Sequence, residues 1–385
     1  MALIPLRPMI DVARAQGYAQ GAFNVNMIEQ VKAAIDIHEA LRSPLLLQGA
    51  ELGIGFLGGQ ADFKQSTLAD KQKGAKILGE AVKEFSKGKS IPIALHLDHG
   101  KNLDSVKAAI DGGFTSVMYD GSHLPYEENL RNTQEVVEYA HARGVTVEAE
   151  LGILAGVEDD VFAAHSTYTH PLQALDFVRK TGVDLLAVSY GTMHGANKGS
   201  NVKLRTQIVT AIQELFHFEG IDCGIVSHGS STVPPYIVGE LQQLGAQIGN
   251  ASGISLNELD NAIRAGIQKI NVDTDIRLAS MRNIYEMFVA HPELKEQERF
   301  KAVYDLILAA PDNLDPRYVL QPFMHELMYG FDYTNQAQYL LSQALYRGVQ
   351  EINAPLISAF GSLGKAPFIQ QLTLEDMAAF YQKHQ

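Results

Sequence analysis

The sequence predicts an α/β protein, a TIM (β/α)8 barrel with a helical C-terminal extension. Three observations predict it. Eight short apolar, β-rich runs recur between residues 21 and 273, the segments between them have helical character, and no strand-like run follows residue 276. Continuous apolar runs, instead of strict alternation, suit parallel strands covered on both faces. Eight regular units suit closure into a barrel better than a doubly wound open sheet.

The runs are "GAFNV" (21–25), "PLLLQG" (44–49), "IPIALHLD" (91–98), "TSVMYD" (115–120), "VTVEAEL" (145–151), "DLLAVSY" (184–190), "IDCGIVSHG" (221–229) and "IQKINVD" (267–273). Between them, stretches such as "EQVKAAIDIHEALR" (29–42) and "NLDSVKAAID" (102–111) read as helices. Gly112, Gly144, Gly182 and Gly266 follow helical stretches and should end them. Residues 1–280 are expected to form the barrel. Residues 281–385 are expected to add its last helix and a helical extension within the same domain, with "PDNLDPRY" (311–318) as a turn.

The chain has 385 residues, 46% of them hydrophobic, which is enough for a large core. With 31 Lys and Arg against 44 Asp and Glu, the net charge of −13 disfavours nucleic acid or an anionic membrane as the main partner. A small anionic substrate depends on the local site instead. The one cysteine, Cys223, excludes an intrachain disulfide and a cysteine-based zinc cluster, and suits a cytoplasmic setting. The N-terminal "MALIPLRPMIDVARAQG" has no long apolar run with a cleavage site, and no stretch is long and apolar enough for a membrane span. The expectation is a soluble, unexported protein.

Catalytic groups of a barrel sit at the C-terminal strand ends. There the sequence places His96, Asp98 and His99 on the third run, Asp120 on the fourth, and Glu148 and Glu150 on the fifth. The sixth leads into "YGTMHGANKG" with His194 and Lys198, the seventh into "SHGSST" with His228, and the eighth ends in Asn271, Asp273 and Asp275. His99, His194 and His228 offer three imidazoles from three strand ends, and catalytic zinc takes three protein ligands with one position open. Cobalt, manganese and iron stay open beside zinc, since imidazole suits several metals. Each of these histidines precedes a glycine, which permits close backbone approach and unusual dihedrals. A single loop histidine is ordinarily a surface residue; three His-Gly pairs, each just beyond a strand, are poorly explained that way. "HGANKGS" and "HGSSTVP" supply backbone amides, hydroxyls and the Lys198 charge for an anion. "ELGILAGVEDD" (150–160) reads as a mobile loop able to bring a carboxylate into the site. Lys269, on the eighth run, is a candidate for Schiff-base chemistry, a reading that leaves the three His-Gly pairs unexplained.

At these residues the chain resembles the class II, metal-dependent fructose-bisphosphate aldolases. The motifs are "HLDHG" (96–100), "VEAELG" (147–152), "HGSSTVP" (228–234) and "KINVDTDIRLA" (269–279), with "GAFNVN" (21–26), "GFTSVMYDGS" (113–122) and the tail at 359–381. The resemblance covers nearly the whole chain, least so near 290–355. It implies a TIM barrel that forms homo-oligomers, dimers or tetramers, and a reversible aldol cleavage. The expected substrate is fructose 1,6-bisphosphate, split into dihydroxyacetone phosphate and glyceraldehyde 3-phosphate. It further implies one zinc ion per chain on His99, His194 and His228, with Asp98 as the acid–base aspartate. Asp120 and Glu150 match carboxylates behind the ligands or at an alternate metal position, with His96 nearby. Glu158 matches the loop glutamate that moves a proton at the nucleophilic carbon. Substrate and phosphate contacts match Asn24, Gly195, Lys198, Gly229, Ser230, Ser231, Asn271, Asp273 and Thr274. Arg277 matches the residue that meets the distal phosphate, and a monovalent cation, Na+ or K+, is implied at the phosphate loops. Two departures bear on substrate. Where the family reads like "QTSEGA" this chain has "QGAELG" (48–53), and where it reads like "GTSHGAYK" the chain has "GTMHGANK" (191–198). Gly49 and Ala50 supply no hydroxyl, so tagatose 1,6-bisphosphate or a ketose 1-phosphate stands as the alternative substrate. A non-catalytic sugar-phosphate-binding barrel is the remote one, because the family's catalytic positions are filled.

Overall fold

The computed structural model describes residues 3–154, 167–198, 202–249 and 251–384, and the backbone alone of 156–158 and 161–163. Its strands are β1 (Gln20–Asn24), β2 (Leu45–Ala50), β3 (Ile93–Gly100), β4 (Ser116–Tyr119), β5 (Thr146–Leu151), β6 (Gly156–Glu158), β7 (Val161–Ala163), β8 (Leu185–Val188), β9 (Gly224–Ser227) and β10 (Ile267–Val272). Eight of them close into a parallel barrel in the order β1–β10–β9–β8–β5–β4–β3–β2. Each barrel strand coincides with one of the apolar runs, and the barrel and its helical C-terminal region are as the sequence predicts. The addition is a small antiparallel hairpin of β6 and β7 between β5 and β8, where the sequence reads as a loop. Three-residue strands carry too little pattern to stand out.

Strand alternation decides what fills the barrel. One face of each strand points outward, and Leu45, Leu47, Leu95, Leu97, Val117 and Val147 pack there under the surrounding helices. The inward faces stack in layers. Ala22, Leu46 and Ala94 lie in register. They join Leu185, Ala187 and Val226 in an apolar plug, closed by Leu6, Met9 and Ile10 at the N-terminal helix Arg7–Gln16. Two residues further along, the register aligns Asn24, Gln48, His96 and Ser116, and then Ala50 with Asp98. The interior therefore changes from apolar to polar toward the C-terminal rim. Asn24, Gln48, His96, Asp98, Glu148 and Lys269 are all essentially inaccessible, so each must find a partner inside the barrel.

The C-terminal segments brace this barrel. The long helix Gln336–Ala359 lies against the helices Ile28–Ala40 and Thr274–Ala290. Gly348 lets it approach, since a Cβ there would sit 2.8 Å from Ser280 Cα. The last helix, Leu374–His384, docks against the helix Tyr126–His141, with Tyr381 stacked on His141. Asp184, just before β8, accepts from Arg7 Nη1 at 2.7 Å, His141 Nε2 at 2.9 Å, Tyr381 Oη at 2.9 Å and the Val147 N–H at 2.8 Å. Among the described residues no helix is long and apolar enough to cross a membrane.

Candidate metal centre and active site

Polar groups from β1, β3, β5 and β10 and from the segments that follow β4, β8 and β9 meet at the rim. β3 supplies both Asp98 and His99, although consecutive strand residues normally face opposite ways. A register shift against β4 between Leu97 and Gly100 interrupts the ladder, and His99 takes a φ of 50° there. Such a bulge re-aims a side chain. It turns the ring toward the rim beside Asp98. The sequence suggests that the glycine of each His-Gly pair carries the unusual dihedral. That holds for Gly195 (φ 84°) and Gly229 (φ 60°), but in the first pair His99 itself adopts it. Gly229 is needed for space as well: a Cβ would lie 2.6 Å from the Met193 carbonyl carbon.

The imidazoles converge. The His99 ring centroid is 4.7 Å from that of His228 and 5.7 Å from that of His194. Ligand atoms of Asp98, His99 and His228 lie within 4.8 Å of one another, and so do those of His99, Asp120 and Glu150. Carboxylates fix two of the rings. Asp120 Oδ2 accepts from His99 Nδ1 at 2.9 Å, which turns Nε2 toward the cluster. Glu148 Oε1 accepts from His228 Nε2 at 2.8 Å, which turns Nδ1 there. His228 Nδ1 and Glu150 Oε2 lie 3.3 Å apart, buried and without a well-formed hydrogen bond. A buried imidazole nitrogen beside a buried carboxylate oxygen, with carboxylates orienting the rings from behind, suits a divalent cation. The residues fit a metal.

The carboxylates dominate the electrostatics of the site. Burial alone would raise the Asp120 carboxyl, but its bonds to His99 and Ser122 hold it well below the usual range. Burial would also raise Glu148, but the Lys269 charge and the His228 bond hold it ionised. Burial would lower His228, yet Glu148 and Glu150 push it up to about 9. Burial, helped by the Lys269 charge, keeps His96 neutral, with Nδ1 on Ser116 Oγ at 2.8 Å and Nε2 3.5 Å from Glu148.

Asp98 sits between two amides. Asn24 Nδ2 donates to Oδ2 at 3.1 Å and Asn271 Nδ2 to Oδ1 at 2.9 Å. A narrow cavity lined by Asn24, Asp98, His194, Gly229, Ser231 and Asn271 lies next to it. It shares Gly195, Asp273 and Thr274 with a wider cleft of about 1070 Å³ that also reaches Lys64 and Arg277. The loop 228–233 is fastened by Asp275, whose oxygens accept from the Thr232 and Val233 N–H groups at 2.9 and 2.8 Å. Ser230 Oγ lies 2.6 Å from Ser227 Oγ, and the buried Lys198 ammonium donates to the Met193 carbonyl. Arg277 pairs with Asp273, Nε to Oδ1 at 3.0 Å, and with Asp315 at 3.3 Å. Glu158 closes β6, and its side chain lies outside the described residues.

Of the sequence-derived ligand candidates, Asp98, His99 and His228 form one close group and His99, Asp120 and Glu150 another, while His194 stands beside His99 outside both. Asn24 and Asn271, read as substrate contacts, spend hydrogen bonds on Asp98. Glu148 and Asp275, which the sequence places at strand ends without a role, are structurally central. Nothing in the sequence pairs Glu148 with His228 and Lys269.

Such a rim on a parallel barrel defines a metal-binding barrel enzyme. Comparison with known proteins narrows this. The family model described as "Fructose-bisphosphate aldolase class-II" matches residues 4–337. The fructose-bisphosphate aldolase of Giardia intestinalis is 39% identical over 384 residues, covering 99% of this chain and 100% of that protein. The Treponema pallidum protein of the same name is 37% identical over 342 residues, covering 85% and 93%. Among solved structures, the YdjI aldolase of Escherichia coli K12 aligns with a TM-score of 0.62 and 27% identity, over 94% of this chain and 99% of that one. The chain belongs to the class II fructose-bisphosphate aldolase family, whose members are metal-dependent carbon–carbon lyases.

Proposed function

We propose that the protein catalyses zinc-dependent, reversible aldol cleavage of a ketose bisphosphate, with fructose 1,6-bisphosphate giving dihydroxyacetone phosphate and glyceraldehyde 3-phosphate. The observation that supports it best is the juxtaposition of three imidazoles, a carboxylate clamped by two amides, and glycine-rich loops around one cavity. His99, His194 and His228 would hold the zinc, with Asp120 and Glu150 behind them or at an alternate position, and cobalt, manganese or iron as other occupants. When bound, the metal supplies a Lewis acid that stabilises negative charge next to a substrate carbonyl. Asp98 takes the proton from the C4 hydroxyl in cleavage and returns it in condensation. Its two amide partners leave other lone pairs on the same carboxylate for that hydroxyl. Glu158 carries the proton at the nucleophilic carbon of the three-carbon fragment. Gly195, Lys198, Gly229, Ser230 and Ser231 bind the proximal phosphate, with a Na+ or K+ ion at these loops, and Asp273 and Thr274 contribute to the substrate site from the end of the eighth strand. Arg277 serves the distal one. Assembly as a dimer or tetramer and residence in the cytoplasm belong to the same proposal.

A second reading is a class II aldolase for tagatose 1,6-bisphosphate or a ketose 1-phosphate. Ala50 favours it, standing in register with Asp98 on the same face without a hydroxyl to offer. Metal analysis with a coupled cleavage assay on the three substrates tests both. The expected result is about one tightly held zinc per chain and the highest kcat/KM on fructose 1,6-bisphosphate. A clear preference for another ketose phosphate would replace the first reading with the second. No cleavage of any of them by metal-replete protein would overturn both.

A further inference from the structure

Lys269 has no part in the chemistry above, yet it is a fully buried cation in the centre of the barrel. Its ammonium donates to Asn271 Oδ1 at 2.7 Å and pairs with Glu148 Oε2 at 2.9 Å. It does not line the cavity beside Asp98. It is therefore engaged as a donor between two acceptors and is poorly placed to attack a substrate carbonyl.

Its chemistry settles an orientation. An asparagine amide can usually be turned either way, with oxygen and nitrogen exchanged. An ammonium has three donors and no acceptor, so the end of Asn271 facing Lys269 must be the oxygen. The other end is then the NH2, which meets Asp98 Oδ1 at 2.9 Å. Turned over, Asn271 would set its oxygen against the carboxylate, and two acceptors at that distance repel. The opposite side of Asp98 has no such constraint. Asn24 is oriented there by Gln48, another amide, whose own Oε1 is buried without a hydrogen bond.

We propose that Lys269 is a positioning residue for the aldol reaction: by fixing the amide of Asn271 it holds the Asp98 carboxylate in the plane in which it exchanges the substrate proton. The same ammonium anchors Glu148, which orients His228, so one buried cation ties the proton carrier to the metal side of the site. This deepens the proposed function and rests on Asp98 as proton carrier.

The test must separate orientation from charge balance. Removing Lys269 alone would strand the Glu148 charge, so the zinc-loaded variant is E148Q/K269M, compared with E148Q. Glutamine keeps an oxygen for His228 Nε2. Bound metal and melting midpoint are measured beside kcat and KM on fructose 1,6-bisphosphate. If Lys269 orients Asn271, the double variant keeps its metal and melts at or above E148Q, while kcat falls about 10²-fold, the scale of a roughly 1 Å misplacement. If Lys269 only balances Glu148, kcat recovers to that of E148Q or better, and the proposal is overturned. N271D guards against a folding failure. It leaves the Lys269–Glu148 pair intact but offers no N–H to Asp98, so a comparable loss in kcat is expected with metal retained; turnover equal to the parent would overturn the proposal. D98A is the separate control. Full turnover there would reject Asp98 as proton carrier, whereas its loss together with an active E148Q/K269M would reject only the role of Lys269.

Discussion

Replacing Glu148 with alanine should damage stability and metal retention together, and the structure says by how much. The side chain is fully buried and touches three cationic or donor groups: His228 Nε2 at 2.8 Å, Lys269 Nζ at 2.9 Å and His96 Nε2 at 3.5 Å. Removing one partner of a buried ion pair costs about 3–5 kcal/mol, because the other charge is left stranded. Lys269 keeps only the Asn271 oxygen among its described contacts. Separately, losing the carboxylate that orients a metal-bound imidazole typically weakens metal binding about 10–100-fold. Against a total stability of about 5–15 kcal/mol, E148A is expected to be marginal without metal and partly rescued by excess zinc, since ligand at about 100 times its Kd contributes about 2.7 kcal/mol. E148Q should split the two effects. It strands Lys269 but still presents an oxygen to His228, so stability falls while zinc affinity stays near that of the parent. Chelator competition gives the affinity, and thermal melts at fixed free zinc give the stability. An E148A protein that binds zinc as the parent does and melts unchanged would refute the reasoning.

Gly49 and Ala50 should respond oppositely to the family's hydroxyl residues. A side chain at Gly49 would start 3.0 Å from Leu78 Cδ2 and 3.1 Å from Ile54 Cγ1, so G49T is expected to cost about 1–3 kcal/mol by overpacking without changing specificity. A50S should fold normally and raise kcat/KM for the bisphosphate over fructose 1-phosphate about tenfold, the worth of one hydrogen bond to a charged group; an unchanged ratio would count against this position. The pH profile of stability should carry a His38 signature. Its Nδ1 donates to the Pro44 carbonyl at 3.0 Å, its Nε2 is buried without a partner, and burial lowers it to about 3. The unfolded chain takes up this proton near about pH 6.5. Stability is therefore full above that pH and falls toward pH 3, with a slope of up to about 1.4 kcal/mol per unit; denaturation of H38L across this range should lack that component. Y381F removes a hydroxyl that donates to buried Asp184 at 2.9 Å and should cost about 1.5–3 kcal/mol. The contact lies on the stability face of the barrel, so kcat should not change, and a drop would place the last helix in the catalytic cycle.

What could be read from the chain follows from how local each signal is. The barrel strands were legible because a parallel strand buried on both faces writes its burial into consecutive residues, as Leu45, Leu46 and Leu47 do. His99, His194 and His228 were legible because each stands beside a glycine just past such a run. The bulge at His99 was not, since its cause is a register shift against β4 that no residue of "HLDHG" announces. The hairpin of β6 and β7 was too short to leave a pattern.

The sharpest difference concerns Lys269. Read along the chain, a lysine on an inward strand position suggests a nucleophile. In the barrel, Glu148 comes from β5 and Asn271 stands two residues along from Lys269 on the same strand, and together they engage two of the three donors of that ammonium. Its function is then decided by an asymmetry of hydrogen bonding. Lysine can only donate, asparagine must receive with its oxygen, and Asp98 is left facing N–H. Neither residue type nor spacing contains that order. It arises only when closure brings β5, β10 and β3 onto one axis, and it makes the Asp98 geometry depend on a residue that never touches the substrate.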